Sequence, residues 1–149
     1  MRIAFTTEEL NDWVGTHPDV YYFSFTGQAT YEDWLTGRSL PSLSMSAMLI
    51  PSSLFMGSYT RNNPTPVIDE SWWPNDGLVN VVSGKYPFSQ NHEAYDYGEK
   101  AQKGVWNHFP VQNSWDHLDH IGINAKDALG IHDLDGFYQK LAAHLQSLP

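Results

Sequence analysis

The chain contains no cysteine, so neither disulfides nor thiol chemistry take part in its folding or function. That composition suits the cytosol and equally suits secreted bacterial enzymes that fold without bridges. Basic residues are scarce: 8 Lys and Arg stand against 17 Asp and Glu, a formal net charge of −9. Such a balance, with no basic cluster to oppose it, repels nucleic-acid phosphates and anionic headgroups and argues against nucleic-acid binding. No apolar run is long enough to span a bilayer. The most apolar stretch, Ala47 to Met56, is broken by Pro51 and two serines and is expected to be a loop or a partly buried segment. Met1-Arg2-Ile3-Ala4-Phe5 lacks the apolar core of a signal peptide. Internal repeats, low-complexity tracts and a domain boundary are also missing, so residues 1–149 are expected to form a single unit.

What is present is aromatic. Six Trp, eight Tyr and seven Phe in 149 residues indicate a packed globular body rather than a disordered tail. Thr6-Thr7-Glu8-Glu9 has the pattern of a capping box, after which Leu10, Trp13 and Val14 share one helical face that Gly15 and Pro18 terminate. Val20 to Phe25 is rich in β-favouring residues with little alternation, which predicts an interior strand covered on both faces. A helix feeding such a strand points to an α/β class. From Gly27 to Pro66 the pattern is irregular yet too apolar for a flexible linker, so a long packed loop is expected. Leu78 to Ser83 predicts a short strand, and Lys85 to Asn113 reads as loop. Leu134, Phe137, Tyr138, Leu141, Leu145 and Leu148 recur at three- and four-residue intervals and predict a closing amphipathic helix, with Asp133 as N-cap and Asp135 in its first turn.

Two short stretches carry the chemistry. Asn75-Asp76-Gly77 lies between two strand-like runs and is first of all a turn, because glycine tolerates positive φ and aspartate bonds its own backbone. Asp116-His117-Leu118-Asp119-His120 concentrates two imidazoles and two carboxylates, a set that serves as a solvated loop, a catalytic base or a transition-metal site. Zinc is a weak option, since the spacing of Asp116, His117, Asp119 and His120 fits no closed zinc pattern. The remaining histidines, His17, His92, His108, His132 and His144, are expected at the surface or at helix caps, and Trp72, Trp73, Trp106 and Trp115 in packing roles.

The stretch Ile68-Asp69-Glu70-Ser71-Trp72-Trp73-Pro74-Asn75-Asp76-Gly77-Leu78-Val79-Asn80 resembles the acid-loop segment of the staphylococcal and thermophilic-Bacillus type of true lipases. Val20-Tyr21-Tyr22-Phe23-Ser24-Phe25, Thr30-Tyr31, Phe55-Met56-Gly57-Ser58-Tyr59, Lys103-Gly104-Val105-Trp106-Asn107, Trp115-Asp116-His117-Leu118-Asp119-His120-Ile121-Gly122-Ile123 and the closing helix follow that family's order. The resemblance covers nearly the whole chain and the C-terminal part of such a lipase. It implies the C-terminal fragment of an α/β-hydrolase fold, with few parallel strands, flanking helices and long packed loops. In that fold the triad arrives in the order Ser, Asp, His, and the resemblance makes Asp76 the acid and His117 the base. The family's Gly-x-Ser-x-Gly elbow has no match in this sequence, since Gly57-Ser58 and Ser83-Gly84 lack the flanking glycines. The nucleophile-bearing N-terminal part is therefore expected to be absent, and the chain alone inactive.

The resemblance further implies a structural calcium beside the histidine, held by Asp119, Asn124, the Ala125 carbonyl and the Ser44 carbonyl. Asp119 replaces a glutamate and Asn124 an aspartate, so one negative charge is lost and affinity should weaken. An extracellular location follows from the family. Lipid or ester substrate is expected only with the missing part present, and exposed sheet edges would favour self-association. The competing expectation is a non-catalytic remnant that binds calcium or a partner.

Overall fold

The computed structural model describes residues 9–62, 66–123 and 131–149. Seven short strands and four α-helices are interspersed along it, an α/β-type arrangement: α1 (Asn11–Trp13), β1 (Tyr22–Ser24), β2 (Gly27–Gln28), β3 (Thr30–Glu32), β4 (Ser39–Pro41), α2 (Ile50–Met56), α3 (Val81–Lys85), β5 (His92–Ala94), β6 (Trp106–His108), β7 (Gln112–Asn113) and α4 (Leu134–Ser147). Parallel pairing dominates. The order β1-β6-β5 forms one sheet, β2 pairs with β7, and β3 with β4 makes an antiparallel hairpin.

Two of these ladders are one ribbon. β1 faces β6 with Ser24 opposite His108, and the pairing resumes with Gly27 opposite Gln112 after one extra residue on the second chain segment. Backbone bonds from Phe109 N to the Ser24 carbonyl (3.0 Å) and from Gln112 N to the Thr26 carbonyl (2.8 Å) carry it across the gap. Asn107 anchors this ribbon: fully buried in β6, it donates its amide to the carbonyls of Tyr22, Gln102 and Val105 and accepts from Gln102 N, so no polar atom of its side chain goes unsatisfied.

Several expectations need correction. β1 exists but is not interior: among the described residues its only strand neighbour is β6, and all three of its residues are half-buried. The run 47–56 is not a loop. Pro51 sits in the first turn of α2, where its missing N–H costs nothing and its fixed φ suits the helix, so this proline starts the helix instead of breaking it. The strand predicted over 78–83 is a turn followed by α3, because Asp76 Oδ1 captures the N–H groups of Leu78 and Val79 that a ladder would need. Residues 85–113 are not all loop, for they hold β5, β6 and β7. At two to three residues these are too short for a periodicity signal and are set by pairing partners far away in sequence. The first helix is a single turn with Trp13 and Val14 exposed, and Thr6, Thr7 and Glu8 of its capping pattern lie outside the described residues.

α4 forms as predicted, with Asp133 Oδ1 accepting from Gly136 N at 2.9 Å. Its inner face differs from the predicted stripe. Tyr138 and Leu145 are exposed, and His144 is buried among Phe23, Tyr95, Tyr97 and Phe109. Phe137 packs edge-on to Phe25, which stacks on Phe109 at 4.3 Å between ring centroids. A smaller aliphatic cluster of Ala29, Met45 and Leu49, with Leu118 against it, lies under the turns that carry Asp76 and His117.

Candidate active site

The acid is held by its neighbours before it holds anything itself. Asn75 is fully buried; it donates its backbone N–H to Thr30 Oγ1 (3.2 Å) and its side-chain amide to the carbonyls of Ser53 (3.3 Å) and Trp73 (2.8 Å), and it accepts from Gly77 N (2.9 Å). Its carbonyl accepts from Ala29 N, tying the turn to the end of β2. Gly77 has φ +98°, and a Cβ there would lie 2.6 Å from the Leu49 Cβ, so both conformation and space require glycine. Ser52 Oγ of α2 donates to the Gly77 carbonyl at 2.5 Å. Asp76 is thereby fixed with Oδ1 on Leu78 N (2.9 Å) and Val79 N (2.7 Å), leaving Oδ2 to face outward.

What Oδ2 meets is His117. Nδ1 of the ring lies 2.9 Å from it across a separation of 41 residues, and His117 N donates to the Asp76 carbonyl at 2.9 Å as well. The acid is shielded, with 8% of its side chain exposed, whereas the imidazole is 43% exposed. Among the described residues, Nε2 of His117 has no hydrogen-bond partner. A proton on Nδ1 directed at the carboxylate leaves Nε2 as a lone-pair acceptor facing accessible space, the condition for a general base. Both turns lie beyond the carboxyl ends of parallel strands: Ala29, which follows β2, bonds the Asn75 carbonyl of the Asp76 turn, and β7 leads to His117. Open α/β sheets gather their functional groups at that end.

The other residues of the histidine loop have separate duties. Asp116 is fully buried and bonded to backbone N–H groups. His120 turns inward, with Nε2 2.6 Å from Gln112 Oε1 and its ring beside Trp115, and burial holds its pKa below the ordinary histidine value. Among the described residues no group of three or more His, Cys, Asp or Glu could hold a metal ion, so Asp116, His117, Asp119 and His120 do not converge as a zinc set. His132 is also buried and stands beside Asp119, so neither it nor His144 is the surface residue expected.

Of the four positions expected to hold calcium, Asn124 and Ala125 lie outside the described residues. The other two belong to adjoining loops: Ser44 Oγ donates to the Ser114 carbonyl (3.0 Å), Ser46 N to Asp116 Oδ2 (2.6 Å), and Asp116 N to Asp119 Oδ2. Asp119 is fully buried, and its Oδ1 lies 3.6 Å from His132 Nδ1. A buried carboxylate is an oxygen donor of the kind a hard cation takes, and His132 stands beside the oxygen that such a cation would use.

Asn75 and Asp116 are the positions whose importance the sequence concealed. Asn75 reads there as an ordinary turn former and Asp116 as one of several carboxylates; only the long-range partners Ala29, Ser53 and Ser46 distinguish them.

A shielded carboxylate bonded to a half-exposed imidazole beyond the ends of parallel strands is an arrangement found in hydrolases. This chain belongs to the family described as "Lipase-like, C-terminal domain", whose model matches residues 4–148. It is 32% identical over 142 residues to the lipase of Staphylococcus hyicus and 30% identical over 138 residues to lipase 1 of Staphylococcus aureus (strain Mu50 / ATCC 700699). Those matches take in 95% and 92% of this chain, which spans only 21% and 19% of the length of the two relatives. The crystal structure of Staphylococcus hyicus lipase superposes with a TM-score of 0.81 at 32% identity, covering 93% of this chain and 34% of that one. EstA from Clostridium botulinum gives 0.79 at 38% identity, covering 93% and 31%, and lipase 1 from Pelosinus fermentans 0.72 at 36%, covering 94% and 36%.

Proposed function

We propose that this chain supplies the acid and the base of a Ser-Asp-His triad in a lipase or carboxylesterase, as the C-terminal portion of an α/β-hydrolase domain. The nucleophilic serine comes from polypeptide outside these 149 residues, since no Gly-x-Ser-x-Gly occurs in them. The 2.9 Å contact between His117 Nδ1 and Asp76 Oδ2 is the observation that carries this reading. In the assembled site, His117 Nε2 accepts the serine proton as the oxygen attacks the ester carbonyl, then returns it to the departing alcohol; Asp76 holds the ring's tautomer and stabilises the imidazolium. The substrate class is a lipid or other carboxylic ester, the location extracellular, and residues 1–149 act as one part of the domain rather than as an independent enzyme.

The surface supports incompleteness. Leu43 is 97% and Trp34 90% exposed, Met48 and Phe55 are largely so, and β1 has an open edge among the described residues. Exposed apolar side chains and an unpaired parallel edge suit a surface that another part of the protein covers, and the isolated chain would self-associate there. Calcium, held by Asp119, Asn124 and the carbonyls of Ala125 and Ser44, would brace the loop behind His117.

A chimera tests the proposal. In it, this chain replaces the matching portion of Staphylococcus hyicus lipase, and turnover of a fluorogenic ester is followed. Hydrolysis that needs His117 and Asp76, with none from the 149-residue chain alone, is the expected result. Hydrolysis by the isolated chain that depends on those residues would refute the missing-nucleophile account, and a folded chimera indifferent to His117→Ala would refute the triad.

A further inference from the structure

We propose that Asp116 is a positioning residue for the His117 imidazole, acting through a buried hydrogen-bonded staple between the histidine loop and the segment entering α2. The proposal rests on the reading of His117 as the base and adds a second anchor to it besides Asp76.

Asp116 precedes His117, yet its side chain runs the other way, into the interior, where it is fully buried. A buried carboxylate is tolerated only where donors replace the lost water, and here they come from two directions. Oδ1 accepts from Leu118 N at 2.8 Å and Asp119 N at 3.1 Å, closing the backbone around His117 into a tight turn. Oδ2 accepts from Ser46 N at 2.6 Å, 70 residues away in sequence. Asp116 N in turn donates to the buried Asp119 carboxylate, so the turn is bonded from both sides of its first residue.

The consequence falls on His117. Its ring is 43% exposed and so is not walled in on all sides. Two things determine where Nε2 sits: the Asp76 carboxylate at Nδ1, and the backbone from which the side chain projects, which is bonded at one point to the Asp76 carbonyl through His117 N. That backbone is the turn built by Asp116. The Ser46 tether refers it to the segment leading into α2, whose Ser52 and Ser53 hold the Asp76 turn through the Gly77 carbonyl and Asn75. One helix and its lead-in therefore register both partners, and Asp116 is the link on the histidine side. Removing it should let the turn drift while the Asp76 turn, with its own bonds to Leu78 and Val79, stays in place.

The test uses the full 149-residue chain and its His117 ring signals. Asp116→Asn keeps one carbonyl oxygen but cannot satisfy both the turn and Ser46; Ser46→Pro removes the tethering N–H and sets its ring Cδ against Asp116 Oδ2, while φ of −57° at Ser46 already suits proline. In nitrogen-15 spectra both variants are expected to lose the preference for the Nδ1–H tautomer and to exchange that proton at least about tenfold faster, the size of one hydrogen bond to a charged group. Exchange of the Leu78 and Val79 amides should remain unchanged. Wild-type tautomer and exchange in either folded variant would overturn the proposal, and so would unfolding of both variants, which would assign Asp116 to stability alone. Failure of the triad is read separately, as ester hydrolysis by the chimera that ignores His117→Ala.

Discussion

Asp76 Oδ2 and His117 Nδ1 stand 2.9 Å apart although 41 residues separate them, and the His117 N–H also bonds the Asp76 carbonyl. Main chain and side chain of the two residues are therefore matched at once. In an assembled, serine-containing enzyme, Asp76→Asn is expected to lower turnover by about 10⁴, as loss of the orienting carboxylate does in serine proteases. His117→Ala should cost on the order of 10⁶. Steady-state ester hydrolysis, with circular dichroism to verify folding, checks both.

Asn75 offers a different measurement. Asn75→Ala would strand the Gly77 N–H and the Trp73 carbonyl, while the Ser53 carbonyl keeps its bond from Gly57 N. At about 1–3 kcal/mol for each buried group left unsatisfied, the variant should melt well below the parent, by about 2–4 °C per kcal/mol lost. Differential scanning calorimetry of the two proteins decides it.

Gly77→Ala combines two penalties, since φ is +98° and the new methyl would press on Leu49. The expected loss exceeds about 1 kcal/mol. Because the strained bond lies next to Asp76, turnover in the chimera should fall more steeply than stability, which parallel melting and activity series would expose.

Acid should weaken the fold through two histidines. Burial foremost lowers the pKa of His120, which faces Asp76, Asp116 and His117, and of His108, which faces Lys85 and His92, below the ordinary value of 6.5. Above that value both are neutral folded or unfolded, and their contribution is fully present. As pH falls below it, the unfolded chain takes up protons first, so stability declines until the lower folded-state values are passed. Urea midpoints should drop between about pH 7 and pH 5, and His120→Asn and His108→Asn should each flatten that slope. A slope unchanged by both would contradict the assignment.

Calcium gives the last prediction. Titration calorimetry should show a weak site that Asp119→Ala abolishes and Asn124→Asp tightens, because restoring a carboxylate raises the ligand charge on which hard-cation affinity depends. Equal heats from all three proteins would remove the ion from the account.

The parts of this architecture visible in the sequence are those encoded locally. α4 announces itself by periodicity and by Asp133, and the Asp76 turn by Asn-Asp-Gly. The contact between Asp76 and His117 came from a family likeness, not from any spacing. What stayed hidden depends on distant partners: the strands β5 to β7, which are too short to carry a pattern, and the burial of His144, which takes an apolar position in the α4 stripe. Pro51 misled because a proline inside an apolar run marks a break unless it falls in a first turn, and where the turn begins is set by tertiary packing.

The one-residue offset between the β1–β6 and β2–β7 pairings makes the ribbon a vernier for the chemistry downstream. Slipping β7 by a single residue against β2 would carry His117 about 3.3 Å along the strand axis, more than the span of its bond to Asp76. Deleting one residue between His108 and Gln112 should therefore abolish ester turnover in the chimera while leaving both Asp76 and His117 in the chain.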